Sequence, residues 1–99
     1  MIIGYIRVST DRQAVEKQRF EILKFADEKK WAIDEWVEES VSGARNVNDR
    51  KLGSLLRKME NTDILVVTEL SRIGRSPMEI MSILHDCMER GIDTDSHSR

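Results

Sequence analysis

Ninety-nine residues hold one compact domain, since a single hydrophobic core is comfortable at roughly 100 to 150 residues. A composition of 39% hydrophobic and 34% charged residues is too apolar for a disordered chain and too charged for a membrane segment. A lone cysteine excludes an internal disulfide and an all-thiolate zinc site and fits a reducing, cytoplasmic setting, while a net charge of −2 argues at face value against nucleic acid. No stretch approaches the roughly 20 apolar residues of a membrane span, and the opening run from Met1 to Ile6 lacks the basic start of a signal peptide.

Residues 2 to 8 form a β-branched and aromatic run that ends in the polar turn Ser9, Thr10, Asp11, Arg12, which reads as a strand. The period then changes: Val15, Arg19, Ile22 and Phe25/Ala26 recur at helical spacing through about Lys30. Residues 31 to 37 make a less regular apolar segment, suited to an edge strand. Residues 38 to 48 carry Ser, Gly, Arg and Asn without periodicity and read as a long loop. Leu52, Leu55/Leu56 and Met59 mark a second helix. Residues 63 to 68 form a continuous aliphatic run, as expected for a parallel strand covered on both faces. A third helix starts at Ser76, where Ser-Pro-Met-Glu supplies a cap, a proline at the first helical position and a glutamate three residues after the cap. Its buried stripe is Ile80, Ile83/Leu84 and Cys87/Met88, with Gly91 as the C-terminal stop. Met78, Met81 and Met88 read as core and helix-surface packing, Cys87 as a buried structural thiol, and Trp31 and Trp36 as core or sheet-edge packing.

This alternation predicts an α/β domain with a mainly parallel sheet. The polar residues 93 to 99 hold no apolar run for a further strand and are expected to be a disordered tail, so the core is assigned to 1–92 and expected to stop after the third main helix.

In open parallel sheets, ligands bind beyond the carboxyl ends of the strands. The segments after residues 8, 37 and 68 therefore meet on one rim, and they share a chemistry. The first holds Arg7, Ser9 and Arg12, the second Ser42, Arg45 and Arg50, the third Ser71, Arg72 and Arg75. All six lysines fall instead on predicted helices. Guanidinium is planar, permanently charged and matched to bidentate contact with phosphate, so its segregation to one rim points to an oxyanion site. Arg7 and Ser9 stand two apart on a strand row that also holds Tyr5. No histidine lies in any of the three segments, which disfavours a hydrolase triad. Phosphoryl transfer fits better, because it rests on positioning and on neutralising charge at the phosphoryl oxygens. Ser9 is the candidate nucleophile. The scattered carboxylates of the rim match no metal-binding spacing.

The run Tyr5-Ile6-Arg7-Val8-Ser9-Thr10, with Gln13 and Gln18 after it, resembles the opening motif of the serine recombinases, the resolvase and DNA invertase family. Ser42-Gly43 with Asp49-Arg50 resembles the second motif of that family, and Leu70-Ser71-Arg72-Ile73-Gly74-Arg75-Ser76 the third. The resemblance implies a resolvase-like three-layer α/β/α core. It implies that Ser9 attacks a DNA phosphodiester and holds the 5′ phosphate as a phosphoserine ester, with Arg7, Arg50, Arg72 and Arg75 clamping the phosphate. Tyr5, Arg12, Gln13, Gln18, Ser42 and Arg45 would contact DNA phosphate or support the loops. The implied partners are double-stranded DNA and, in full-length members, a homodimer and a synaptic tetramer; neither a nucleotide cofactor nor a metal is implied.

Two departures stand out. Ser71 occupies a position that is usually aspartate in the family, and no helix-turn-helix follows residue 92. They keep open a different reading, a non-catalytic recombinase fragment that acts as a folding or interaction module. A small-molecule phosphate-binding α/β domain is a third.

Overall fold

The computed structural model describes residues 1–8, 11–40 and 51–96. The order is β1 (Ile2–Val8), α1 (Arg12–Lys29), β2 (Glu35–Ser40), α2 (Lys51–Lys58), β3 (Ile64–Val67), a 3₁₀ turn (Leu70–Arg72), α3 (Pro77–Glu89) and β4 (Asp93–Ser96). The four strands pair in parallel in the order β2-β1-β3-β4. From β1 the chain steps outward through α1 to β2, then returns through α2 to the far side of β1. The direction of winding thus reverses between β1 and β3, which is where an open α/β sheet forms its crevice.

Side-chain alternation along the central strands builds two cores. Ile3 and Tyr5 of β1 and Leu65 and Val67 of β3 face α2 and α3, where they join Leu52, Leu55, Ile83 and Cys87. Ile6 of β1 and Val66 of β3 face the other way, onto Val15 and Ile22 of α1. The result is a three-layer α/β/α fold. Gly4 stands opposite Trp36 in the β1/β2 register. A Cβ there would lie 2.8 Å from the indole ring, so the absence of a side chain lets Trp36 lie across the strand.

The helix ends follow their sequence signals. Asp11 caps α1 by accepting from the Gln13 backbone N–H at 2.9 Å, and Ser76 caps α3 by accepting from Glu79 N–H at 3.1 Å. The Glu79 carboxylate reaches back to the Arg75 N–H at 2.8 Å, one residue beyond the reciprocal bond of a capping box. Gly91 takes φ +74° as the chain leaves α3. Burial pushes the Cys87 thiol up, a shift opposed by the adjacent Thr94 hydroxyl.

Three expectations need correction. Residues 93–96 are not a disordered tail: Asp93 to Ser96 pair with Ile64 to Val67 as β4. Backbone hydrogen bonding to a formed neighbour makes this edge strand without an apolar run, and Ile92 just before it supplies the buried anchor. The second strand is shifted, covering Glu35–Ser40 rather than residues 31–37, so Glu38 to Ser40 belong to sheet and not to loop. Register with β1 sets its span, while Trp31 and Ile33 pack before it against the α1-side core. Finally, Met78, Met81 and Met88 are exposed and not core.

Candidate active site

The rim at the carboxyl ends of β1 and β3 gathers two of the three arginine-bearing segments within the described residues. Arg7, the penultimate residue of β1, is held from both sides. Its carbonyl accepts from Gln18 Nε2 of α1 at 2.9 Å, and its Nη1 points at the Gly74 carbonyl, 3.4 Å away in the turn before α3. Arg72 ends the 3₁₀ turn, and its Nη2 lies 3.3 Å from Glu69 Oε1. Arg75 is exposed three residues further on. Among the described residues neither Arg7 nor Arg75 pairs with a carboxylate, so their charge remains available to an incoming oxyanion.

Two further carboxylates near this rim, Glu38 and Glu39, are engaged elsewhere. Glu38 pairs with Arg12 at 3.8 Å and with Arg19, whose guanidinium also lies 4.7 Å over the Trp36 ring. Glu39 is 3% exposed and accepts three bonds: from Tyr5 O–H at 3.0 Å, Lys51 N–H at 2.7 Å and Leu52 N–H at 3.0 Å. Its charge is met by a phenol and by the free amides of the α2 N-terminus, where the helix dipole favours an anion. This carboxylate ties β1, β2 and α2 together directly behind the rim.

These contacts divide the candidates drawn from the sequence. Arg7, Arg72 and Arg75 stand on the rim. Gln18 is buried and holds the end of β1. Tyr5 is fully buried with its hydroxyl on Glu39, so it supports the framework beneath the rim. Arg12 is exposed and shared between Glu16 at 3.5 Å and Glu38, the arrangement of a solvated cation. Gln13 is exposed in the first turn of α1, and Ser71 is exposed in the 3₁₀ turn. Ser9, Ser42, Arg45 and Arg50 lie outside the described residues. Among the described residues no group of three or more His, Cys, Asp or Glu side chains converges on a site for a metal ion.

The resolvase N-terminal domain matches residues 2–98 of this sequence. The chain belongs to the resolvase, or serine-recombinase, family. It is 36% identical over 94 residues to the serine recombinase gin of Escherichia phage Mu, covering 94% of this chain and 45% of that protein. It is 40% identical over 81 residues to the transposon Tn2501 resolvase of Escherichia coli, covering 80% of this chain and 40% of the resolvase. The chain thus spans less than half the length of these curated relatives. Among solved structures, the N-terminal catalytic domain of TP901-1 integrase superposes with a TM-score of 0.80 at 26% identity, over 97% of this chain and 76% of that one. The C-terminal catalytic domain of ISC1926 TnpA shares the fold, with a TM-score of 0.77 at 19% identity, over 99% of this chain and 67% of that one.

Within this resolvase domain, sequence pattern alone passes over two rim residues. Glu39 looks like one more acid at the start of a polar loop, and only its place in β2, its bond from Tyr5 and its contact with the start of α2 reveal the buried acceptor. Thr68 looks like the polar end of an apolar run, yet it is 4% exposed beside the Arg72 turn. The family's usual aspartate is replaced by Ser71, but Arg72 still has a carboxylate neighbour in Glu69, one helical turn before it.

Proposed function

We propose that this domain carries the chemistry of site-specific DNA recombination. Ser9 attacks a phosphodiester of double-stranded DNA, forms a 5′-phosphoserine ester and releases a 3′ hydroxyl; reversal of the step reseals the strand. Arg7, Arg50, Arg72 and Arg75 neutralise the charge that builds on the phosphoryl oxygens, the principal demand of phosphoryl transfer. The ester conserves the bond energy, so the scheme calls for no nucleotide cofactor and no metal. In a longer protein carrying this segment, the domain works in the cytoplasm as part of a homodimer and then of a synaptic tetramer.

The observation that carries the reading is the juxtaposition at the β1/β3 crevice. The strand end that leads into Ser9 bears Arg7, whose side chain meets the turn bearing Arg72 and Arg75 through the Gly74 carbonyl. The test is adduct formation on a nicked suicide DNA substrate by a recombinase that contains residues 1–99. The wild type is expected to become covalently attached to the 5′ end and Ser9→Ala to lose attachment entirely. An adduct that persists in Ser9→Ala defeats the assignment. Replacing Arg72 or Arg75 should slow attachment with the circular dichroism spectrum preserved; a collapse of that spectrum would mean these residues are structural.

Ser71, in place of the family's usual aspartate, favours one other reading, a recombinase fragment that folds and pairs without cutting DNA. Under that reading the wild type itself forms no adduct.

A further inference from the structure

On the α1 side of the rim lies a cleft of about 330 Å³, in which Lys17, Gln18 and Glu21 face Thr68, Glu69 and Arg72. Three buried polar atoms of these residues have no hydrogen-bond partner among the described residues: Gln18 Oε1, Thr68 Oγ1 and Arg72 Nε. Gln18 is 6% and Thr68 4% exposed, so bulk water does not reach them freely. Orphaned buried groups are rare in folded chains, and the three residues that carry these line one cleft. Their chemistries are complementary. Arg72 Nε–H can only donate. Gln18 presents its oxygen as an acceptor because its Nε2 is turned to the carbonyls of Arg7 at 2.9 Å and Ala14 at 3.4 Å. The Thr68 hydroxyl does both.

We propose that Thr68 is a positioning residue, which holds the Arg72 guanidinium through a single water bound in this cleft and shared with Gln18. The water accepts from Arg72 Nε–H and from Thr68 O–H and donates one hydrogen to Gln18 Oε1. Its second hydrogen is left for Glu21, Glu69 or solvent. Three protein partners are the usual number for a buried water, and the cleft has ample room for it. Because Gln18 also grips the Arg7 carbonyl, the link runs from the end of β1 through α1 to the turn after β3. It fixes the two arginine segments relative to each other. The value of that alignment for phosphate chemistry rests on the function proposed above; the water bridge does not.

Nuclear magnetic resonance of this chain tests the bridge. The Arg72 Nε–H signal should receive magnetisation from a bound water and exchange at least tenfold more slowly than that of exposed Arg12. Thr68→Val should abolish both effects and lower the melting temperature, and Thr68→Ser should restore them. A hydroxyl that is orphaned in fact gives the opposite sign, because its removal raises the melting temperature. That result, or an Arg72 signal unchanged by Thr68→Val, overturns the proposal. In a recombinase containing this segment, Thr68→Val should slow Ser9 adduct formation about tenfold at unchanged DNA affinity, with recovery in Thr68→Ser. Adduct formation at the wild-type rate in Thr68→Val refutes the positioning role. A wild type that keeps the resonance signature but forms no adduct instead removes the recombination reading and leaves the bridge standing.

Discussion

Replacing Glu39 by alanine should make this domain unfold markedly more readily. The carboxylate is buried and accepts from Tyr5 O–H, Lys51 N–H and Leu52 N–H. Leu52 N–H is itself buried in the first turn of α2, and leaving such a donor unmet costs about 1 to 3 kcal/mol. Lys51 N–H is partly buried and can turn to water, so its loss is about 1 kcal/mol, as is that of the Tyr5 bond. An anion at a helix N-terminus adds up to about 1 kcal/mol. Truncation also relieves the cost of keeping a carboxylate out of water, which leaves a net destabilisation of about 3 kcal/mol. Against a total stability of about 5 to 15 kcal/mol for a domain of this size, that is a large fraction. Urea unfolding followed by the fluorescence of Trp31 and Trp36 measures it. Tyr5→Phe should cost about 1 kcal/mol and Glu39→Gln about 2 kcal/mol. The double-mutant cycle of Tyr5→Phe with Glu39→Ala should show a coupling of about 1 kcal/mol. If Glu39→Ala lies within about 0.5 kcal/mol of the wild type, or the cycle shows no coupling, the carboxylate does not hold the sheet to α2 as described.

Two further outcomes follow from local contacts. Gly4→Ala should lower stability by about 1 to 3 kcal/mol, because its Cβ would meet the rigid Trp36 ring at 2.8 Å, and Trp36→Leu in the same chain should recover part of the loss; equal urea midpoints for wild type and Gly4→Ala would refute this close approach. Asp63 accepts from the Glu60 N–H at 2.8 Å and from the Met1 ammonium at 2.9 Å, which together hold its carboxyl below its ordinary value of 3.8 and raise the Met1 amino group above 8.0. Asp63 therefore adds stability above its unfolded value that is lost as pH falls through the lowered folded one, and the amino group adds stability below 8.0 that is lost as pH rises through its raised value. Melting temperatures across pH should show both declines in the wild type and weaker ones in Asp63→Asn; identical profiles would mean the pair contributes nothing.

Much of the layout is local and was therefore legible in the sequence. The Ser76 cap and Pro77 start α3 through bonds made within one turn, and the aliphatic run of β3 needs only its own composition to demand burial on both faces. The placing of Arg7, Arg72 and Arg75 at or just after the strand ends is likewise a property of the chain order. The net charge of −2 averages the helices with the rim and so does not describe the rim itself.

Pairing across the sheet and the fate of individual polar atoms required the tertiary structure. Asp93 to Ser96 carry no strand signal of their own and become β4 because Ile64 to Val67 offer them a ladder. Glu38 and Glu39 are neighbours in sequence, yet one faces Arg12 and Arg19 at the sheet edge while the other is buried against Tyr5 and α2. Alternation along β2 sends adjacent side chains to opposite faces, and only the packed helices decide which face is buried. Gln18 stands far from Thr68 and Arg72 in the chain, and it is the reversal of winding between β1 and β3 that brings these residues to one cleft.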